Sequence, residues 1–111
     1  MFYIEKQFEL SAAHRLSRTY PRKCPRLHGH NWHITVCCKS PALDENGMVA
    51  DFSLIKQIVQ EKFDHQCLND FMQVNPTAEN IAYWICKNVP NCYRVVVQES
   101  DGNTAIYEED N

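Results

Sequence analysis

The sequence predicts an α+β domain whose elements run strand, strand, helix, helix, strand, strand, and three stretches carry that expectation. Residues 2–10 alternate, with Phe2, Ile4, Phe8 and Leu10 on one side, Tyr3, Glu5, Gln7 and Glu9 on the other, and only Lys6 out of step. That period of two marks a half-buried strand. In the middle of the chain, Leu54, Ile55, Ile58, Val59 and Phe63 recur at helical spacing, and Ile81, Trp84, Ile85 and Val89 do so again. The third stretch is the β-branched run at 93–99, which Asp101-Gly102 turns into a partner at 104–107. Grouping strands at the ends and helices in the middle favours α+β over an alternating α/β layout. A chain of 111 residues with 44% apolar content suits one domain spanning residues 1–111.

Taken in order, the first strand continues through Ser11-Ala12-Ala13, which puts Ala12 and His14 on the inward face with Phe8 and Leu10. A second strand over 28–38 places His28 and His30 on one face with Trp32, Ile34 and Val36, and turns His33 the other way. Residues 40–47 are rich in turn formers and read as a loop, after which Met48 to Ala50 extend briefly. Asp51 is the expected N-cap of the first helix, which should stop near Phe63. Residues 64–70 show no clear period. The second helix is capped by Asn75 or Thr77 and ended by Pro90.

The stretch from Cys24 to Trp32 concentrates chemistry, because it holds a thiol and the pair His28 and His30 within a few residues. A His-x-His pair on one strand face can present two nitrogens to one ion, and tetrahedral zinc then needs a third ligand from elsewhere. Strand parity offers His14, for which a hydrogen-bonded core histidine is the alternative. Glu99 shares its parity with Tyr93, Val95 and Val97, so its carboxylate points where apolar groups point. It must sit at a mouth or meet a donor, since an unpaired buried ion costs several kcal/mol. A ligand donor is one reading; an exposed strand end is the other. Asp64-His65 could be an acid-base pair if the backbone turns there, or a surface pair at a helix end.

A net charge of −3 argues against general nucleic-acid binding. Arg15, Arg18, Arg22, Lys23 and Arg26 nevertheless cluster between His14 and His28, where a small polyphosphate would suit them and a solvated loop is the plainer reading. The start of the chain reads as neither a signal peptide nor a membrane span, so a cytoplasmic protein is expected. Six cysteines without an export signal, Cys37 and Cys38 being adjacent, are expected to be reduced. Cys37, Cys38, Cys67, Cys86 and Cys92 then read as small apolar fillers.

Residues 8–16, 24–32, 49–52, 64–65 with 68–70, 75–80 and 97–99 resemble successive signature blocks of the 6-pyruvoyltetrahydropterin synthase superfamily. Within it, the three residues between Cys24 and His28 resemble the 6-carboxytetrahydropterin synthase subgroup of the queuosine pathway. The resemblance implies the tunnelling fold, a four-stranded antiparallel sheet with two helices on one face, whose subunits join into a barrel and stack as a homohexamer. It implies zinc on His14, His28 and His30, and Cys24 as the catalytic thiol. Asp64 and His65 match the acid-base pair, Glu99 the carboxylate that anchors the pterin, and Thr77 a position near the ring. The implied substrate is 7,8-dihydroneopterin triphosphate, cleaved to 6-carboxytetrahydropterin, triphosphate and acetaldehyde.

Other readings use the same residues. A pyruvoyl-forming or folate-pathway relative would share the ligands and differ in product. A structural zinc module would close the site with Cys24 as fourth ligand. A pterin-binding protein without turnover would need Glu99 and not Cys24.

Overall fold

The computed structural model describes residues 1–19 and 26–109. Strand β1 (Phe2–His14) pairs antiparallel with β2 (His28–Ser40), which pairs with β4 (Cys92–Ser100), and β4 with β5 (Asn103–Glu108). Between β2 and β4 lie helix α1 (Phe52–Phe63), the short strand β3 (Gln66–Cys67), a single 3-10 turn (Leu68–Asp70) and helix α2 (Ala78–Asn88). The sheet order is β3-β1-β2-β4-β5.

The four long strands match the antiparallel expectation, and β3 adds to it. This two-residue strand pairs parallel with Ala12 and Ala13, making the sheet five-stranded and mixed. Its sequence carried no sign of this, because two residues are too few to show a period.

Both helix starts have a local cause. Asp51 accepts a hydrogen bond from the Ser53 N–H at 2.8 Å, and Thr77 accepts one from Asn80 N–H at 3.1 Å. The caps satisfy donors that the first helical turn leaves free. Thr77, not Asn75, is therefore the cap of α2. At the β4–β5 turn Gly102 has φ +81°, the left-handed geometry that a two-residue hairpin needs there.

The helices bury Ile55, Val59, Phe63, Ile81, Ala82 and Ile85 against Leu10, Trp32, Ile34, Val36, Val95 and Val97 of the sheet. The opposite face carries Tyr3, Glu5, Gln7, Glu9 and His33, all exposed. Strict periodicity fails both in strand β4 and in helix α1. A bulge opposite Cys37 and Cys38 makes Tyr93 the extra residue of β4, and its ring meets Tyr3 on the far face at 6.0 Å. The first helical stripe is also narrower than its spacing predicts: Ile55 is 0% exposed whereas Leu54 is 43% exposed.

Truncating those neighbours separates core from surface. Ile55→Ala should destabilise by about 2–5 kcal/mol in urea denaturation. Leu54→Ala should stay within about 0.5 kcal/mol.

Candidate metal centre and active site

Three imidazoles meet at the end of the β1–β2 ladder. The register sets His14 opposite His28 and Ala12 opposite His30, so the inward face of both strands delivers all three rings to one point. Their ligand atoms lie within 4.8 Å of one another, and the cluster can hold a metal ion. His33 is exposed on the other face, as its parity requires.

The rings are held with their metal-binding nitrogens inward. Nδ1 of the fully buried His14 lies 2.7 Å from the Pro76 carbonyl, and Nδ1 of His28 lies 2.8 Å from the Arg26 carbonyl. A carbonyl can only accept, so each Nδ1 carries the proton and each Nε2 the lone pair. Nε2 of His14 and of His30 are buried and have no hydrogen-bond partner among the described residues. Each such orphan costs about 1–3 kcal/mol. A bound cation removes that cost, and three neutral imidazole nitrogens are a donor set that suits zinc. Burial holds the His14 pKa below its ordinary 6.5, against the opposing pull of the Pro76 carbonyl and Glu99. The ring therefore stays neutral near pH 7, as a ligand must be.

Glu99 joins this cluster through an irregularity. The β4–β5 register shifts between Gln98 and Ser100, leaving Glu99 as the extra residue of a bulge. Its carboxylate oxygens stand 3.7 Å from His14 Nε2 and 3.5 Å from His30 Nε2. The carboxylate thus faces the imidazoles, though parity with Tyr93 is not what takes it there.

Asp64 and His65 approach from the β3 side. The Asp64 carboxylate accepts a hydrogen bond from Ser11 N–H at 2.9 Å, and His65 N–H donates to the Ser11 carbonyl at 2.6 Å. His65 has φ +58°, the backbone turn that adjacent side chains need in order to meet. Its Nε2 comes within 3.6 Å of Asp64, and its ring is 81% exposed. An open cleft of about 550 Å³ is lined by His30 and His65 together, with Ser11, Asn31 and Cys67. His65 and one edge of the imidazole cluster therefore face the same space.

Thr77 is committed as the α2 cap, next to the Pro76 carbonyl that orients His14. Cys24, with Arg22 and Lys23, lies outside the described residues. Arg15, Arg18 and Arg26 are exposed.

Two asparagines, Asn69 and the alternative cap candidate Asn75, shape the approach in a way residue patterns did not indicate. The Asn69 amide grips the backbone of Arg15, accepting from its N–H at 2.7 Å and donating to its carbonyl at 2.8 Å. Asn75 grips Ser17 the same way, at 2.9 Å for both bonds. These amides extend the hydrogen bonding of β1 past its end. Neither position has a periodic or metal-ligand signature, so only the fold exposes its role.

A family model described as 6-pyruvoyl tetrahydropterin synthase matches residues 3–110. The chain is 38% identical to a Synechocystis protein named 6-carboxy-5,6,7,8-tetrahydropterin synthase, covering 96% of this chain and 93% of that one. It is 32% identical to a Bacillus subtilis protein of the same name, covering 96% of this chain and 84% of that one. Among solved structures, a Caenorhabditis elegans 6-pyruvoyl tetrahydropterin synthase superposes with a TM-score of 0.77 at 25% identity, covering 98% of this chain and 96% of that one.

Ligand variants test the cluster directly. His14→Ala and His30→Ala should each weaken zinc binding at least ~10-fold in chelator competition, while His33→Ala leaves it unchanged.

Proposed function

The chain belongs to the 6-pyruvoyl tetrahydropterin synthase family, and from that premise we propose that it is a zinc-dependent 6-carboxy-5,6,7,8-tetrahydropterin synthase of queuosine biosynthesis. The proposed reaction takes 7,8-dihydroneopterin triphosphate and water to 6-carboxytetrahydropterin, acetaldehyde and triphosphate. The side-chain carbon next to the ring is oxidised to a carboxylate, and its electrons reduce the ring. No external reductant is needed. The observation that carries this reading is the buried pair of unpartnered imidazole nitrogens beside Glu99, in a chain whose 6-carboxytetrahydropterin synthase relatives align over nearly its whole length.

In this reading His14, His28 and His30 hold the zinc, which when bound supplies Lewis acidity toward the substrate's side-chain oxygens. Cys24 is assigned the side-chain proton on the strength of its Cys-x-x-x-His-Gly-His block. A thiol beside a cationic centre ionises below its usual ~8.5 and is a competent base. His65 moves the proton at the other side of the substrate, and Asp64, fastened by Ser11 N–H, biases its ring. Glu99 anchors the amino-pyrimidine edge by charge-assisted hydrogen bonds, which sets the reacting carbon at a defined distance from base and acid. Thr77 accepts from Asn80 and keeps its own O–H to donate toward the ring. The exposed Arg15, Arg18 and Arg26 supply positive charge for the triphosphate.

The same proposal includes a homohexamer built from barrels. Much of the outer edge of β1 lies beyond the reach of β3, which pairs only Ala12 and Ala13, and β5 closes the other side of the sheet with its own edge. Open strand edges are places where further strands add. Near the free part of β1, Phe2, Tyr3, Leu43, Met48 and Phe52 are exposed around a cleft of about 320 Å³. A cytoplasmic setting is supported by the free thiols of Cys37, Cys38, Cys67, Cys86 and Cys92. No helix among the described residues is long and apolar enough to cross a membrane.

Incubation with 7,8-dihydroneopterin triphosphate should yield acetaldehyde and a pterin bearing a one-carbon carboxylate, read by mass spectrometry and a coupled aldehyde assay. A pterin that keeps all three side-chain carbons would move the protein to the pyruvoyl-forming reaction.

Cys24→Ala should abolish turnover and keep its zinc. If the variant loses its metal and unfolds, the closed structural site replaces this reading.

Sedimentation of the active protein should show a hexamer. A fully active monomer at assay concentration excludes the barrel assembly.

A further inference from the structure

Glu99 stands at an odd distance from its histidine neighbours. A carboxylate that hydrogen-bonds a protonated imidazole approaches to about 2.7–2.9 Å. Here the separations are 3.5 Å to His30 Nε2 and 3.7 Å to His14 Nε2, and neither nitrogen has a hydrogen-bond partner among the described residues. Two ligand atoms on one tetrahedral ion, each about 2.0–2.2 Å from it, lie roughly 3.4 Å apart. The carboxylate is therefore spaced from the imidazoles as a fellow ligand would be.

We propose that Glu99 is the fourth zinc ligand whenever no pterin is bound, completing a site of three histidines and one carboxylate. Three further features support it. Glu99 reaches both nitrogens with separate oxygens, Oε2 toward His14 and Oε1 toward His30, so the carboxylate straddles the space between the rings. It sits on a bulge, which redirects one side chain while pairing resumes on either side, at Gln98 with Thr104 and at Ser100 with Asn103. Its side chain is 23% exposed, so the carboxylate borders solvent and has a way out of the site.

The inference rests on the zinc reading above and adds an exchange to it. A single carboxylate cannot hold the zinc and the far edge of a pterin ring together, so ring binding withdraws Glu99 from the metal. That withdrawal frees a coordination position at the moment a substrate oxygen needs one. Until then the anion also offsets the charge of the ion in a partly buried setting.

Zinc affinity of the pterin-free protein, measured by competition with a chromophoric chelator, tests this with three variants. Glu99→Gln removes the negative charge. Glu99→Asp keeps the charge and withdraws the oxygens by one methylene, so it separates ligation from mere electrostatic attraction. Both should weaken zinc at least ~10-fold, and Cys24→Ala should match the parent protein. A crystal of the zinc-loaded, pterin-free parent should show a Glu99 oxygen about 2.0–2.2 Å from the metal. Parent-like affinity in Glu99→Asp, weakened zinc in Cys24→Ala, or a Glu99 carboxylate beyond about 3 Å from the ion in that crystal overturns the proposal. Failure of the parent protein to bind zinc would instead remove the zinc reading itself, and the product assay judges the proposed reaction separately.

Discussion

The register between β1 and β2 is the constraint on which the site depends. Their partners run without a shift from Phe2 and Ser40 to His14 and His28. Because strand side chains alternate, a slip of one residue would send His28 and His30 to the far face and break the cluster. Apolar burial opposes that slip along the whole ladder, since Trp32, Ile34 and Val36 of the same strand would turn outward with them. A buried hydrogen bond from Trp32 Nε1–H to the Ala12 carbonyl, at 3.1 Å, pins the register beside the imidazoles. The Trp32 ring also forms their floor, with centroids 4.9 Å from His14 and 5.4 Å from His30.

Around that register the fold spends its polar groups on orientation. The Pro76 carbonyl and the Arg26 carbonyl choose the tautomers of His14 and His28. Asn69 and Asn75 hold the backbone that leaves β1, and Asn80 in turn donates to the Asn75 carbonyl at 2.8 Å. The segment between the 3-10 turn and α2 thus contacts both a ring of the cluster and the chain just beyond it. The His14 and His30 nitrogens left without hydrogen-bond partners at the centre carry a desolvation cost that only a group entering the site can offset.

Burial sorts the thiols. Cys38, Cys86 and Cys92 pack behind the sheet, and Cys86 is pushed up to about 12, chiefly by desolvation. Cys86 and Cys92, both held above the ordinary thiol range, stay protonated and inert, the filler role their sequence context implies. Cys67 differs, being only partly buried and lining the cleft with His65.

Alternation and helical spacing were enough to determine the long strands, both helices, the Asp51 cap and the convergence of His14, His28 and His30, because each rests on a local period that burial enforces. The inward aim of His14 is the clearest instance: parity counted from Phe8 predicted it, and the ring is fully buried. Tertiary structure alone decided where periods break. The bulges at Tyr93 and Glu99 depend on pairing with neighbouring strands, which no single stretch encodes. The pairing of Gln66 and Cys67 with β1, the exposure of Leu54, and the grip of Asn69 and Asn75 likewise need partners far away in the chain. Residue type reveals which groups can bind a metal or move a proton. The distance between them is set by long-range contacts, and the spacing of Glu99 from the histidines was legible only once the sheet had formed.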